Sequence, residues 1–108
     1  AVGAVESCFP MGSMTGAPKT RTMALLEDIE QSPRGVYSGT LGYFSCNGAA
    51  DLAVVIRTVK LTEGGMEVGA GGAITILSDE EEEWREMLLK ARSVSAPALE
   101  ACRWRGLV

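Results

Sequence analysis

Two glutamates and a lysine share one face of a helix predicted near the end of this 108-residue chain. Glu83, Glu86 and Lys90 have i, i+3, i+7 spacing, and at roughly 100° per residue they lie within an arc of about 60°. Carboxylates three residues apart can converge on one cation, and Mg²⁺ binds through one or two carboxylates while keeping water ligands. A solvent-exposed acidic face is the alternative, and composition alone favours it because residues 80–83 are all glutamate.

Arg57 interrupts an otherwise apolar segment, residues 53–59, that is typical of a β-strand. A permanent charge inside such a segment is costly unless it is paired. Because a guanidinium matches a carboxylate bidentately, Arg57 is a candidate clamp for a carboxylated ligand. The alternatives are a structural ion pair or a charge that protects an edge strand.

A glycine cluster at residues 69–73 is the third candidate site. Successive backbone amides in such a segment can form an anion-binding concavity, although a bulge or close packing explains the glycines equally well. The cluster is not a dinucleotide fingerprint, because Ile74 stands where the last glycine is required. Residues 12–19 resemble a phosphate-binding loop but lack its spacing between glycine and lysine.

Composition excludes several classes of function. Histidine is absent, which rules out Ser-His-Asp or Cys-His catalysis and imidazole metal ligands. The net charge of −4 argues against a nucleic-acid or anionic membrane surface as partner. No apolar run is long enough to span a bilayer, and we see no export signal at the start. Three widely spaced cysteines are typical of reduced thiols, so we expect a cytoplasmic protein. From the charge and the hydropathy we expect no nucleic-acid or membrane partner.

The candidate residues lie on predicted elements whose order is helix, strands, helix. This order predicts an α+β fold, with an antiparallel sheet and flanking helices. The Asn47-Gly48 dipeptide predicts a hairpin turn, and Ser78 with Glu81 predicts a capping box. Pro97 is expected to close the last helix at about Ser95. The predicted elements are an extended segment at 1–7, a helix at 17–31, β-segments at 36–46, 52–62, 66–70 and 74–77, and a helix at 78–95.

The chain opens without methionine and runs directly into motif-like residues, so we expect it to be part of a longer enzyme. We expect residues 1–96 to form the C-terminal portion of one domain and residues 97–108 to form a tail. Such a part would expose sheet edges and apolar surface, so we also expect copies of the chain to associate.

Five segments occur in a specific order along residues 9–95. They are Phe9-Pro10-Met11-Gly12-Ser13-Met14-Thr15-Gly16-Ala17-Pro18-Lys19, Pro33-Arg34-Gly35-Val36-Tyr37-Ser38-Gly39, Asp51-Leu52-Ala53-Val54-Val55-Ile56-Arg57-Thr58, Ala70-Gly71-Gly72-Ala73-Ile74, and Ser78-Asp79 leading to Glu83-x-x-Glu86. In this order they resemble the C-terminal part of the chorismate-utilising enzymes, the anthranilate synthase component I family. The resemblance implies that the chain is a fragment of the larger chorismate-binding fold.

The resemblance also implies roles for individual residues. Glu83 and Glu86 match the magnesium-binding glutamates of the family, which makes Mg²⁺ the implied cofactor and chorismate the implied ligand. Arg57 and Lys90 match residues near the substrate's acid groups, and the amides of Gly71 and Gly72 match those that face a carboxylate. The implied substrate-contacting residues are Thr15, Tyr37, Arg57, Gly71, Gly72 and Lys90.

Within the family, Gly-Ser-x-Thr-Gly-Ala-Pro-Lys is closest to the aminodeoxychorismate synthase form. That form implies amination of chorismate with ammonia from a glutamine amidotransferase subunit or domain, on the route to 4-aminobenzoate and folate. The alternatives are an anthranilate synthase component I, or a non-catalytic fragment that keeps only the fold. Other family motifs, including an acid–base glutamate, are missing here, so we expect these 108 residues alone to be inactive.

Overall fold

The computed structural model describes residues 2–106, and this part of the chain has an α+β fold, as the sequence predicts. The helices are α1 (Val2–Cys8), α2 (Gly12–Thr15), α3 (Lys19–Glu30) and α4 (Glu80–Trp104), and the strands are β1 (Thr40–Phe44), β2 (Ala50–Val54), β3 (Val59–Thr62) and β4 (Gly65–Val68). The strands form two separate two-stranded antiparallel sheets, β1-β2 and β3-β4, where we expected one. Ala1 of the expected opening segment, and Leu107 and Val108 of the expected tail, lie outside the described residues.

The chain divides into two structural units, Ala1–Val55 and Ile56–Val108. The first contains α1, α2, α3 and the β1-β2 hairpin. The second contains the β3-β4 hairpin and α4. The expected division into residues 1–96 and a tail stays a prediction.

The opening segment is helical, and the prediction of an extended chain there is wrong. Helix α1 spans Val2–Cys8, and the Ser7 hydroxyl donates to the Gly3 carbonyl at 2.9 Å. The Phe9 amide continues the pattern by donating to the Val5 carbonyl at 2.8 Å. Seven residues are too few for apolar periodicity to distinguish a helix from a strand, so local hydrogen bonding decides.

Helix α3 confirms the helix predicted at residues 17–31, with both ends shortened. Pro18 is the N-cap residue, in an extended conformation, rather than part of the first turn. Gln31 ends the helix in the left-handed region with φ of 52°. The residue before Pro33 avoids the helical region, which is consistent with a helix that stops at Glu30.

The Asn47-Gly48 hairpin is confirmed, with shorter strands than predicted. Strand β1 pairs antiparallel with β2, and Gly42 lies opposite Leu52. The Asn47 side chain accepts a hydrogen bond from the Ala49 amide at 3.0 Å, which closes the turn. Gly42 is required where it stands, because a Cβ there would collide with the Asp51 carbonyl oxygen.

The β-segment predicted at residues 52–62 is interrupted between β2 and β3. Strand β3 instead pairs with β4, and Lys60 forms a 2.9 Å ion pair with Glu67 across that hairpin. The strand predicted at residues 74–77 is wrong, because this segment forms a turn in which the Ser78 amide donates to the Thr75 carbonyl at 3.1 Å. The turn is locally hydrogen-bonded, and its apolar side chains are exposed.

Helix α4 begins two residues later and ends much later than predicted. Its N-cap is Asp79, whose side chain accepts from the Glu82 amide, so the assignment of this role to Ser78 is wrong. The four glutamates of the first turn favour the start of a helix electrostatically. The helix continues to Trp104 with Pro97 inside it, so Pro97 does not close it.

The described residues contain no buried hydrophobic side chain, and Ser38, 9% exposed, is the one buried side chain among them. Apolar residues on every element of this part of the chain are at best half-buried. None of the described helices combines the length and the apolar character needed to cross a bilayer.

Candidate functional site

Helix α4 places Glu83 beside the glycine segment, residues 69–73. Glu83 is half-buried, and its Oε1 accepts a hydrogen bond from Ser78 Oγ at 2.8 Å. A Cβ on Gly72 would lie 3.0 Å from Glu83 Oε2. A residue larger than glycine at position 72 would therefore press on this carboxylate. Glu80, Glu81 and Glu82, by contrast, are exposed.

Glu86 lies one turn further along α4 and is held by Lys90. Glu86 Oε1 is 2.5 Å from Lys90 Nζ, and the Glu86 side chain is 56% exposed. The hydrogen bond from Lys90, assisted by its charge, holds the pKa of Glu86 below its ordinary value. Glu86 is therefore an ionised carboxylate at neutral pH.

Lys90 connects the acidic face of α4 to the glycine segment. Its Nζ lies 3.5 Å from the Gly71 carbonyl oxygen, and a Cβ on Gly72 would be 4.0 Å from the same nitrogen. The side chain is 28% exposed. Five of the predicted site residues thus lie together: Gly71, Gly72, Glu83, Glu86 and Lys90.

This arrangement can supply oxygen ligands to a hard cation. Glu83 and Glu86 provide two carboxylates on adjacent turns of one face, a donor set that suits Mg²⁺ when water or substrate completes the shell. Within residues 2–106, no three acidic or cysteine side chains converge as a metal-binding group.

Arg57 is not in a strand, and that prediction is wrong. It lies between β2 and β3 with φ of 47°, in the left-handed region, and its side chain is exposed. The preceding Ile56 is 45% exposed, so the segment is not a buried apolar strand and the charge costs little there. Among the described residues Arg57 has no ion-pair partner within 4.0 Å, which leaves its guanidinium open to a ligand.

Thr15 and Tyr37 belong to the unit Ala1–Val55. The Thr15 hydroxyl donates to the Met11 carbonyl at 3.1 Å at the end of α2. Tyr37 lies in a turn before β1 rather than on the strand where we expected it, and its amide donates to the Arg34 carbonyl at 3.3 Å. Both side chains are half-buried.

Two residues with structural contacts in these segments were missed as site residues. Ser78 was predicted to be a helix cap, yet its hydroxyl contacts the Glu83 carboxylate. The sequence identifies Arg34 only as part of the Pro33-Arg34-Gly35 motif, yet its guanidinium reaches the Met14 carbonyl, 20 residues away. The position of Arg34 within an ordered motif was the only sequence signal available, and spacing alone does not reveal such a long-range contact.

Comparison with known proteins adds independent information. The model of the chorismate binding enzyme family matches residues 1–96. An aminodeoxychorismate synthase of Streptomyces pristinaespiralis is 56% identical over 98 residues, covering 91% of this chain and 14% of the relative. A probable chloroplastic aminodeoxychorismate synthase of Oryza sativa is 58% identical over 92 residues, covering 85% of this chain and 10% of the relative.

Anthranilate synthases match with lower identity. Anthranilate synthase component 1 of Mycobacterium tuberculosis is 44% identical over 94 residues, covering 87% of this chain and 18% of the relative. The chain thus spans between 10% and 18% of the length of these three relatives.

Proposed function

Because the chain belongs to the family of chorismate binding enzymes, we propose that it forms part of the chorismate site of an aminodeoxychorismate synthase. The reaction is amination of chorismate to 4-amino-4-deoxychorismate. The ammonia comes from a glutamine amidotransferase subunit or domain, the product leads to 4-aminobenzoate and folate, and the setting is the cytoplasm. The higher identity to the relatives named aminodeoxychorismate synthase supports this activity over anthranilate synthesis.

One observation carries the proposal: α4 packs its functional face against the glycine segment. Glu83 and Lys90 both approach Gly72 so closely that a Cβ there would contact them. One carboxylate and an ammonium group therefore lie beside a backbone segment that is free of side-chain bulk, and the Glu86 carboxylate is paired with that ammonium group. Such a surface suits a ligand that carries carboxylates and is bound together with a cation.

We assign the cation as Mg²⁺, held by Glu83 and Glu86. When bound, the metal would neutralise a substrate carboxylate and stabilise charge on the departing hydroxyl group. Lys90, now paired with Glu86, would turn its ammonium group toward the substrate's acid group. Ser78 would keep the Glu83 carboxylate oriented through its hydroxyl.

The remaining contacts bind and orient chorismate. Arg57 would grip a carboxylate through its guanidinium, and the amides of Gly71 and Gly72 would donate hydrogen bonds to a carboxylate. Thr15 and Tyr37 would contact the substrate through their hydroxyl groups. Because the resemblance assigns these residues two metal carboxylates but not the family's acid–base glutamate, the 108 residues alone should not turn over chorismate.

A chimaera tests the activity directly. The matched segment of the Streptomyces pristinaespiralis relative is replaced by the corresponding residues of this chain, and the chimaera is given chorismate, ammonium and Mg²⁺. We expect 4-aminobenzoate to form only when a separate lyase is added. The isolated 108-residue chain, assayed in parallel, should not consume chorismate.

Each other outcome has a defined meaning. Direct formation of anthranilate with pyruvate would replace the proposal with anthranilate synthase activity. An active unmodified relative beside an inert chimaera would mean that the chain keeps the fold without the chemistry. Magnesium-dependent turnover by the isolated chain would overturn the proposal that these 108 residues alone are inactive.

A further inference from the structure

Arg34 connects three separate parts of the unit Ala1–Val55. Its Nη1 donates to the Met14 carbonyl at 2.7 Å and to Ser38 Oγ at 3.3 Å. Its Nε and Nη2 donate to the two carboxylate oxygens of Glu30 at 2.8 and 2.5 Å. One guanidinium fork therefore links the end of α3, the end of α2 and the turn before β1.

The parts that Arg34 connects carry two of the proposed substrate contacts. Thr15 directly follows Met14, and Tyr37 directly precedes Ser38. All three guanidinium nitrogens of Arg34 already have protein partners. Arg34 is therefore placed to act on substrate binding through the backbone of its neighbours and not by contacting a ligand.

Ser38 is a rigid anchor for this link. It is 9% exposed and has φ of 62°, in the left-handed region that non-glycine residues rarely adopt. Its amide donates to the Val55 carbonyl at 2.9 Å. Such a conformation persists when several contacts fix it, and the Arg34 hydrogen bond is one of them.

We propose that Arg34 is a positioning residue for chorismate, which holds the segments of Thr15 and Tyr37 in the arrangement that binds the substrate. The inference rests on the proposed function and extends it to a residue outside the ligand contacts. A glutamine at position 34 cannot reach both acceptors and carries no charge. A lysine keeps the charge but lacks the planar fork.

Steady-state kinetics of the chimaera test this role. We expect Arg34→Gln to raise the KM for chorismate about tenfold, because charge-assisted hydrogen bonds that fix the binding segments are lost. Arg34→Lys should give an intermediate KM. A merely structural role predicts a different result, since partial unfolding lowers the apparent kcat and leaves the KM of the folded fraction unchanged.

Two control variants separate the contacts of Arg34. Arg21→Gln removes an exposed arginine from α3, the helix that carries Glu30, and should leave the KM unchanged. Glu30→Gln removes the ion pair but leaves the hydrogen bonds to Met14 and Ser38, so its KM should stay within about twofold of the parent value. A parental KM in Arg34→Gln, or an equal KM increase in Glu30→Gln, would overturn the inference.

Hydrogen–deuterium exchange tests the link without relying on activity. In the chimaera, Arg34→Gln should accelerate exchange in the peptides that cover residues 12–16 and 37–39, while Glu30→Gln should not. Unchanged exchange in both peptides contradicts the link even if the chimaera does not aminate chorismate. Failure of the proposed function is recognised separately, as absent or altered product in the parent chimaera.

Discussion

At the scale of single residues, identical side chains on α4 have different surroundings. Glu83 is half-buried between Ser78 and Gly72, whereas Glu86 is largely exposed and paired with Lys90. Glu82, in the same helix, is exposed. Proximity to the glycine segment distinguishes Glu83 from the exposed Glu82, whereas Glu86 is distinguished from it by the contact with Lys90.

Substitution of these glutamates tests the metal assignment. In the chimaera, Glu83→Gln and Glu86→Gln should each lower the magnesium-dependent rate by at least about 100-fold, because a carboxylate ligand is lost while side-chain shape is kept. Glu82→Gln, which removes an exposed charge from the same turn, should leave the rate near the parent value. The measurement is the initial rate over a range of Mg²⁺ concentrations. Unchanged magnesium dependence in both ligand variants would disprove the assignment.

A second residue-scale prediction concerns acid titration of Glu30. Hydrogen bonds from Arg34, assisted by its charge, hold the pKa of Glu30 below its ordinary value despite partial desolvation. The resulting stabilisation is fully present above the ordinary glutamate pKa of about 4.3 and is lost as the pH falls through the lower folded-state pKa. A carbon-13 titration of the Glu30 carboxyl in the chimaera should therefore give a midpoint that Arg34→Gln raises. Identical midpoints in the two proteins would contradict the ion pair.

At the scale of elements, the sequence predicted correctly those elements that are stabilised by interactions between residues close together in the chain. Asn47-Gly48 predicted the β1-β2 hairpin because the turn is closed by the Asn47 side chain itself. Helix α3 followed from its composition and from the proline after it. The opening helix and the turn at residues 74–77 were misassigned, because short apolar segments fit several conformations.

The sequence predicts which residues form the candidate site but not the contacts between them. The ordered motifs identified Glu83, Glu86 and the glycines. The contact between Lys90 and Gly71, 19 residues apart, depends on how α4 packs on the preceding segment. No spacing rule gives that packing, and none shows that Arg57 lies outside a strand.

The start of α4 provides an element-scale prediction. Asp79→Ala should destabilise the helix by about 1 kcal/mol, because the Glu82 amide loses its side-chain acceptor. Ser78→Ala should leave helix content unchanged while removing the hydrogen bond to Glu83. Far-UV circular dichroism of the two variants distinguishes the two roles. A larger loss of helix in Ser78→Ala would restore the capping box that the sequence suggested.

At the scale of the whole molecule, the described residues have secondary structure without a hydrophobic core. Large apolar side chains are strongly exposed, including Ile76 at 100%, Leu77 at 91% and Trp104 at 90%. Burial of apolar surface is the main favourable term in folding, so residues 2–106 gain little from it. Burial of these exposed apolar side chains against further protein surface would therefore stabilise the fold.

The isolated chain should accordingly bind a hydrophobic dye such as ANS and unfold over a broad temperature range. The full-length chimaera, in which the same apolar side chains have more chain to pack against, should bind less dye and unfold cooperatively. Sedimentation velocity at several concentrations would show whether copies of the chain associate through the exposed surface. A sharp unfolding transition of a monomer without dye binding would contradict the prediction.

Pro97 gives α4 an internal weak point. Proline has no amide hydrogen to offer the Ser93 carbonyl four residues earlier, and its ring crowds that carbonyl. Residues 98–104 are therefore tied to the rest of the helix by one backbone bond fewer than a regular helix would have. The last two turns of α4 should therefore unfold locally without unfolding the turns before Pro97. The turns that carry the two glutamates and the lysine should stay helical when the C-terminal end frays.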